Sequence, residues 1–461
     1  MNKMKRRARL CLLLALVLFL GLGYYIYKLV QDGDKWVAYP GNGDVYTEGY
    51  ISKGTIYDRN GVFLLENTTS GVPAFNEDYG IRRATVHAVG DSVGNISTAA
   101  NYLYANRLVG YNFLMGTYST NNKGRDLYLT IDANLCKAAN NALDGRKGVV
   151  AVMNYKTGEI VCMVSAPNYD PLDPPKITGN DSSGYYINKF LSATYPPGST
   201  MKVVTSEAAL ETIDGVEKRE YDCPYSQKIG TSENDRIICA AYHGHVDFYS
   251  ALAKSCNNFY GELAIEMGPD TLKQYVEKAG LMKSYDIDGI PTTPGTFDFP
   301  REEILLAWTG IGQYHDMVNP CAMLCYMSAI ANGGTLVEPH LVKELTFPNG
   351  WKAEFPTKHT EEEIVRPSTA EVLDKMLRND VTSVYGQGNF PGLELCGKSG
   401  TAELGNGKQP HAWFYGYLQD PDYPYSIVVV VENGGYGIYA AGSVANQVLQ
   451  EIVKGEPYSA D

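Results

Sequence analysis

The chain is 461 residues long, 44% hydrophobic and 20% charged, an ordinary globular composition with more length than one hydrophobic core usually serves. One large domain with smaller additions is the expectation. The formal net charge of −13 argues against a nucleic-acid binder, which needs a basic face for phosphates.

In chain order, the first feature is a basic tail, residues 1–9, which carries Lys3, Lys5, Arg6, Arg7 and Arg9 and no acid. Residues 10–30, LCLLLALVLFLGLGYYIYKLV, hold no charge except Lys28, and such a run crosses the roughly 30 Å hydrocarbon core as a helix. A cleaved signal peptide is the competing reading, because residues 10–23 resemble an h-region. The run ends, however, in Tyr24, Tyr25, Tyr27 and Lys28, an interfacial belt, and no clear small-x-small cleavage site follows. Residues 10–30 are therefore read as an uncleaved anchor, with the cationic tail in the cytoplasm and everything after Val30 outside.

Next, SKGTIYDRNGVFLLEN (Ser52 to Asn67) reads as two short strands about a turn in which Asn60-Gly61 supplies positive φ. A polar stretch rich in Gly, Asn, Tyr and Ser continues to about Gly124, so residues 31–124 are expected to form a small, irregular module. From residue 125 the pattern tightens. LYLTIDANLCKAANNAL predicts a helix starting at Thr130 to Asp132 and running through Leu143, and GVVAVMNYKTGEIVCMVSAPNYDP predicts a hairpin. GSTMKVVTSEAALET and PCAMLCYMSAIANG read as helices. Three more strands follow in GLELCGKSGTAEL, HAWFYGYL and YSIVVVVEN, with a turn at Gly405 to Lys408 between the first two, and the helix-like GSVANQVLQEIV closes residues 125–461. Strands at both ends with helices between them predict an α+β fold with a mostly antiparallel sheet.

The chain has nine cysteines. Outside the cytoplasm a disulfide is allowed, and one bridge among Cys223, Cys239 and Cys256 is expected, with the pair left open. Cys162, Cys321 and Cys325 lie in apolar runs and read as buried free thiols. There is no Cys-x-x-Cys pair, and His243 and His245 read as structural residues of a glycine-containing turn, so no metal is assigned.

The chemistry starts at YPPGSTMKVV. Pro196, Pro197 and Gly198 place Ser199 in the first turn of a helix, and residues three apart share a face, so Lys202 stands over Ser199. A serine hydroxyl becomes a nucleophile when a neighbouring base takes its proton, and a lysine kept neutral by burial beside another cation is such a base. A capping serine beside a surface lysine is the plainer reading of this fragment alone. KSCNNFYGELA adds Ser255 and Asn257 at another helix start, able to relay a proton and to bond a peptide amide. GKSGTAE adds Lys398, Ser399, Gly400 and Thr401 on a strand: a cation and hydroxyls for a carboxylate, and a glycine that lets a substrate backbone lie close. Each fragment alone is a weak motif.

In this order and context the three fragments match the Ser-x-x-Lys, Ser-x-Asn and Lys-[Ser/Thr]-Gly set of penicillin-recognising serine acyltransferases. The chain resembles the class B penicillin-binding proteins, peptidoglycan D,D-transpeptidases, over most of its length. GTIYDRNG, TIDANLCKAANNAL, YPPGSTMKVVTSEAALE and HAWFYGY are similar to family segments in the family's order, with Ser399 where threonine is commoner.

The resemblance implies a transpeptidase domain at 125–461 with a five-stranded, mostly antiparallel sheet and helices on both sides, carried behind a pedestal or dimerisation-like domain at 31–124. It implies that Ser199 attacks a D-Ala-D-Ala stem peptide with Lys202 as base and Ser255 and Asn257 assisting. Lys398, Ser399, Gly400 and Thr401 would bind substrate, and the Ser199 and Thr401 backbone N–H groups would form the oxyanion hole. It further implies trapping by β-lactams, no cofactor, and a membrane glycan polymerase of the SEDS type as partner. A D,D-carboxypeptidase or β-lactamase shares this chemistry with water as acceptor, but the N-terminal extension and GTIYDRNG argue against it. The nine-residue tail is too short for a β-lactam sensor, and a non-catalytic scaffold would be expected to lack the serine or the lysine.

Overall fold

The computed structural model describes residues 2–37, 53–67, 73–109, 124–178, 183–347, 349–354, 359–405 and 407–458. Parts of the polar stretch before Gly124, residue 52 of the first hairpin segment, and Asn406 of the turn at Gly405 to Lys408 lie outside these residues.

An N-terminal helix, Asn2–Val37, contains a segment, Lys3–Gly33, long and apolar enough to cross a membrane. Beyond it, Thr55–Tyr57 and Phe63–Asn67 pair antiparallel about Gly61, whose φ of +79° suits glycine. These strands belong to a six-stranded sheet in the order Lys352–Glu354, Val342–Thr346, Asp126–Leu129, Thr55–Tyr57, Phe63–Asn67, Pro73–Phe75. One sheet thus joins strands on either side of residue 124. The stretch read as irregular also contains a regular helix, Tyr79–Val89. Its N-cap Asp78 accepts from the backbone N–H groups of Gly80 and Ile81, and it buries Ile81, Ala84, Thr85 and Ala88. The cap and apolar spacing were present in the sequence but masked by the polar composition around them.

The central sheet has five antiparallel strands in the order Leu395–Ala402, His411–Leu418, Tyr425–Val431, Gly148–Asn154, Ile160–Ala166. Every residue of Gly148–Asn154 and Ile160–Ala166 is buried, so both faces of the hairpin are covered, as its unbroken apolar runs imply. Pro320–Ala331 packs on Tyr425–Val431, while Ala133–Leu143 packs on Ile160–Ala166 and carries Ser443–Val453 against it. Burying each valine, isoleucine or leucine of these strands contributes about 1.5–3 kcal/mol, which makes the sheet a rigid base for its edge strand.

That edge strand, Leu395–Ala402, carries the Lys-Ser-Gly segment and packs against the 3₁₀ turn Gly198–Met201, which runs directly into the helix Lys202–Thr212. The helix beginning at Asn257 packs on Lys202–Thr212, and the three motifs converge. Cys162, Cys321 and Cys325 are buried free thiols, as expected.

Candidate active site

Ser199 sits in the 3₁₀ turn, where residues three apart eclipse one another, so Lys202 lies directly over it. The turn is pinned from several sides. Trp413 Nε1 donates to Pro196 O at 3.0 Å, Tyr415 Oη donates to Thr200 O at 2.8 Å, and Gly198 N donates to Gly312 O at 2.9 Å. Gly198 itself has φ +55°, and a Cβ there would meet Thr401 O at 2.9 Å. The backbone of Thr401 therefore adjoins the nucleophile turn.

The Lys202 side chain is fully buried. Its Nζ lies 3.0 Å from Ser199 Oγ, 3.0 Å from Ser255 Oγ, 2.9 Å from Ser255 O and 2.7 Å from Asn257 Oδ1. All four neighbours are uncharged. Burial, and then the nearby charge of Lys398, push the Lys202 ammonium down to about 7, which leaves a large neutral fraction at physiological pH.

Ser255 is held at φ +56°, a conformation uncommon for a residue with a side chain. It stands between the two lysines, with Lys398 Nζ 3.4 Å from its Oγ. Asn257 uses both ends of its amide: Oδ1 accepts from Lys202, and Nδ2 donates to Ile238 O at 2.8 Å. Gly400 was expected to let substrate lie close. A Cβ there would meet Thr200 Cγ2 at 2.9 Å and Pro197 O at 3.1 Å, so the glycine also admits the serine turn.

Tyr385 was not singled out by the sequence reading. It ends a π-helical turn, Asp380–Tyr385, and its Oη accepts from Ser399 N at 2.9 Å, lies 3.1 Å from Ser399 Oγ, and lies 3.3 Å from Lys398 Nζ. Lone aromatics outside any motif give no signal in a sequence. Tyr385 becomes visible only when the turn folds onto the strand.

The expected disulfide is not formed. Cys223 Sγ and Cys239 Sγ are 3.6 Å apart, Cys239 Sγ and Cys256 Sγ 3.8 Å, and all three thiols are free, whereas a disulfide needs about 2 Å. His243 and His245 also part company. His243 Nδ1 faces Cys223 Sγ at 3.8 Å, while His245 pairs with Asp222 in solvent.

Residues 148–454 match the penicillin binding protein transpeptidase domain. The chain belongs to this family. The helix Asn2–Val37 is accordingly its membrane anchor, with the transpeptidase domain outside the cytoplasm. The peptidoglycan D,D-transpeptidase PbpA of Mycobacterium tuberculosis H37Rv is 28% identical over 335 residues, 68% of each chain. Stage V sporulation protein D of Bacillus subtilis is 29% identical over 358 residues, 73% of this chain and 54% of that one. In fold, the chain superposes on penicillin-binding protein A of M. tuberculosis as a ceftriaxone acyl-enzyme complex with a TM-score of 0.78 at 23% identity, covering 89% of this chain and all of that one. It superposes on the D,D-transpeptidase domain of a peptidoglycan glycosyltransferase from Eggerthella lenta with a TM-score of 0.75 at 26% identity, over 87% and 98%. The protein is thus a D,D-transpeptidase of the penicillin-binding type that acts on peptidoglycan.

Proposed function

We propose that this transpeptidase cross-links stem peptides through an ester on Ser199. The observation that carries this reading is the 3.0 Å approach of a fully buried Lys202 Nζ to Ser199 Oγ. Neutral Lys202 takes the serine proton as Oγ attacks the carbonyl of the penultimate D-Ala. Backbone N–H groups of Ser199 and Thr401 receive the developing oxyanion, a contribution of about 3–4 kcal/mol per donor in comparable sites. The proton then passes by way of Ser255, between Lys202 and Lys398, to the amine of the terminal D-Ala, which leaves. An amine of a second stem peptide attacks the ester, forms the cross-link and frees Ser199. Lys398 and the Ser399 hydroxyl, both ordered by Tyr385, hold the terminal carboxylate of the donor, and Asn257 fixes Lys202 while bordering the peptide. β-Lactams, which imitate the D-Ala-D-Ala end, acylate the same oxygen.

Residues 31–124 serve as a pedestal between anchor and catalytic domain. The pairing of Thr55–Tyr57 with Asp126–Leu129 supports a rigid link between them. Through anchor and pedestal the enzyme works beside a membrane glycan polymerase of the SEDS type. The chain shares its fold with the Helicobacter pylori PBP2 described in complex with MreC, with a TM-score of 0.62 at 21% identity over 73% of this chain and 65% of that one.

The test is turnover. Full-length protein in detergent, given a D-Ala-D-Ala donor and an amine acceptor, releases free D-Ala with formation of an equal amount of cross-linked product. Release of D-Ala with only hydrolysed donor would make the protein a carboxypeptidase instead.

A further inference from the structure

Four side chains outside the acylation machinery converge behind it. Cys223 ends the strand Glu220–Cys223, Cys239 follows the strand Arg236–Ile238, His243 precedes the strand Gly244–Asp247, and Cys256 caps the helix Asn257–Lys278. The three Sγ atoms and one ring nitrogen of His243 all lie within 4.8 Å of one another. The resolved edges are 3.6 Å for Cys223 to Cys239, 3.8 Å for Cys239 to Cys256 and 3.8 Å for Cys223 to His243 Nδ1. A tetrahedron with metal–sulfur bonds of about 2.3 Å has ligand-to-ligand edges of about 3.8 Å. The spacing is therefore too long for a disulfide and fits four ligands around one ion.

We propose that Cys223, Cys239, His243 and Cys256 bind one zinc ion, and that this ion fixes the Ser255-Cys256-Asn257 segment beneath Lys202. Three thiolates and one imidazole form a closed structural donor set for zinc. The three cysteines are buried, while His243 is half-buried and gives the ion a way in. An outer layer supports the ligands. Asn258 Nδ2 donates to Cys239 Sγ at 3.3 Å and Cys223 Sγ at 3.5 Å, and Lys254 Nζ donates to His243 O at 3.2 Å.

The local fold needs such a staple. Residues 220–247 form two-stranded ribbons, Glu220–Cys223 with Gly244–Asp247 and Ser226–Lys228 with Arg236–Ile238. Within these strands Ile237 and Val246 are the apolar residues buried besides Cys223, and isolated ribbons of this kind are marginal in water. The ribbons nonetheless hold the site. Ile238 O accepts from Asn257 Nδ2, and Cys239 is the next residue. An ion that joins Cys239 to Cys256 clamps both sides of Asn257 and holds Ser255 in its left-handed conformation. The thiols release their protons to solvent as zinc binds.

The test uses full-length protein purified in detergent with reductant and without chelator. Elemental analysis should find about one zinc per chain. Protein stripped by a chelator should take up one cobalt(II) with the intense charge-transfer and ligand-field bands of a tetrahedral thiolate site. It should also acylate with fluorescent penicillin at least tenfold more slowly until zinc is restored. His243→Ala, the mildest change to the set, should weaken zinc binding at least tenfold. Zinc stoichiometry and the cobalt spectrum are read without turnover, so they stand or fall apart from the acyl-enzyme reading. Protein that retains no zinc and gives no thiolate–cobalt spectrum overturns the proposal. So does a disulfide among the three cysteines in protein that acylates at the full rate, or a His243→Ala variant with undiminished affinity.

Discussion

Lys202 Nζ stands 3.0 Å from Ser199 Oγ, with no charged side chain among its four polar neighbours. Burial holds Lys202 near 7, and its neutral form is the base. Because the neutral form gains population as pH rises, acylation by penicillin should climb between about pH 6 and 8, with a midpoint near 7. Lys202→Ala should cut the acylation rate by on the order of 10³-fold or more at every pH, as loss of a general base does in comparable sites. Stopped-flow acylation with a fluorescent penicillin checks both statements.

Tyr385 orders Lys398 and Ser399 through one hydroxyl. Tyr385→Phe leaves the ring in place and strips those bonds, at a cost of about 1–2 kcal/mol for a buried partner left unmade. The second-order acylation constant should fall roughly 5- to 30-fold by that conversion. A β-lactam whose carboxylate is esterified should lose much less. An equal loss for acid and ester would remove Tyr385 from carboxylate binding.

At Gly400 an added methyl would press on Thr200 Cγ2 and Pro197 O. Gly400→Ala should push the serine turn away from the strand, slow acylation at least tenfold and destabilise the fold by about 1–3 kcal/mol, as overpacking does. Parallel acylation and thermal unfolding of the variant would read the two effects separately.

Glu211 anchors the helix of Ser199 and Lys202 from its far end. Its nearly buried carboxylate meets Arg366 Nε at 2.8 Å, Thr369 Oγ1 at 2.9 Å, Tyr275 Oη at 3.0 Å and Lys278 Nζ at 3.1 Å. Glu211→Ala takes this acceptor from Arg366, Thr369 and Tyr275, while Lys278 keeps Glu207 at 3.2 Å, and should destabilise the domain by about 3 kcal/mol, read as a lower unfolding midpoint in urea. Acylation of the remaining folded protein should be nearly unchanged.

The residues legible in sequence are those whose partners are fixed by local geometry. Helical spacing alone aligned Lys202 with Ser199, and the apolar runs made the hairpin of the sheet visible, but the strand of Lys398 to Thr401 was read as an inner one and lies instead at the sheet's edge. Tyr385, Trp413 and Tyr415 escaped as site residues because each reaches the serine turn or its strand across pairings between distant segments. The sheet that joins Thr55–Tyr57 to Val342–Thr346 through Asp126–Leu129 was hidden for the same reason. The four members of the thiol–imidazole cluster lie on separate elements at irregular intervals, so their convergence left no spacing to recognise. The disulfide expected among three of them followed from compartment and from their place in one loop-rich stretch, and geometry overrode it.

The most direct measurement of the central claim is mass spectrometry of the full-length protein after brief exposure to benzylpenicillin, with Ser199→Ala alongside. One penicilloyl group per chain is expected, on the peptide that holds Ser199, and none on a variant that unfolds at the same temperature. An adduct on another residue, or none on folded wild-type protein, would contradict it.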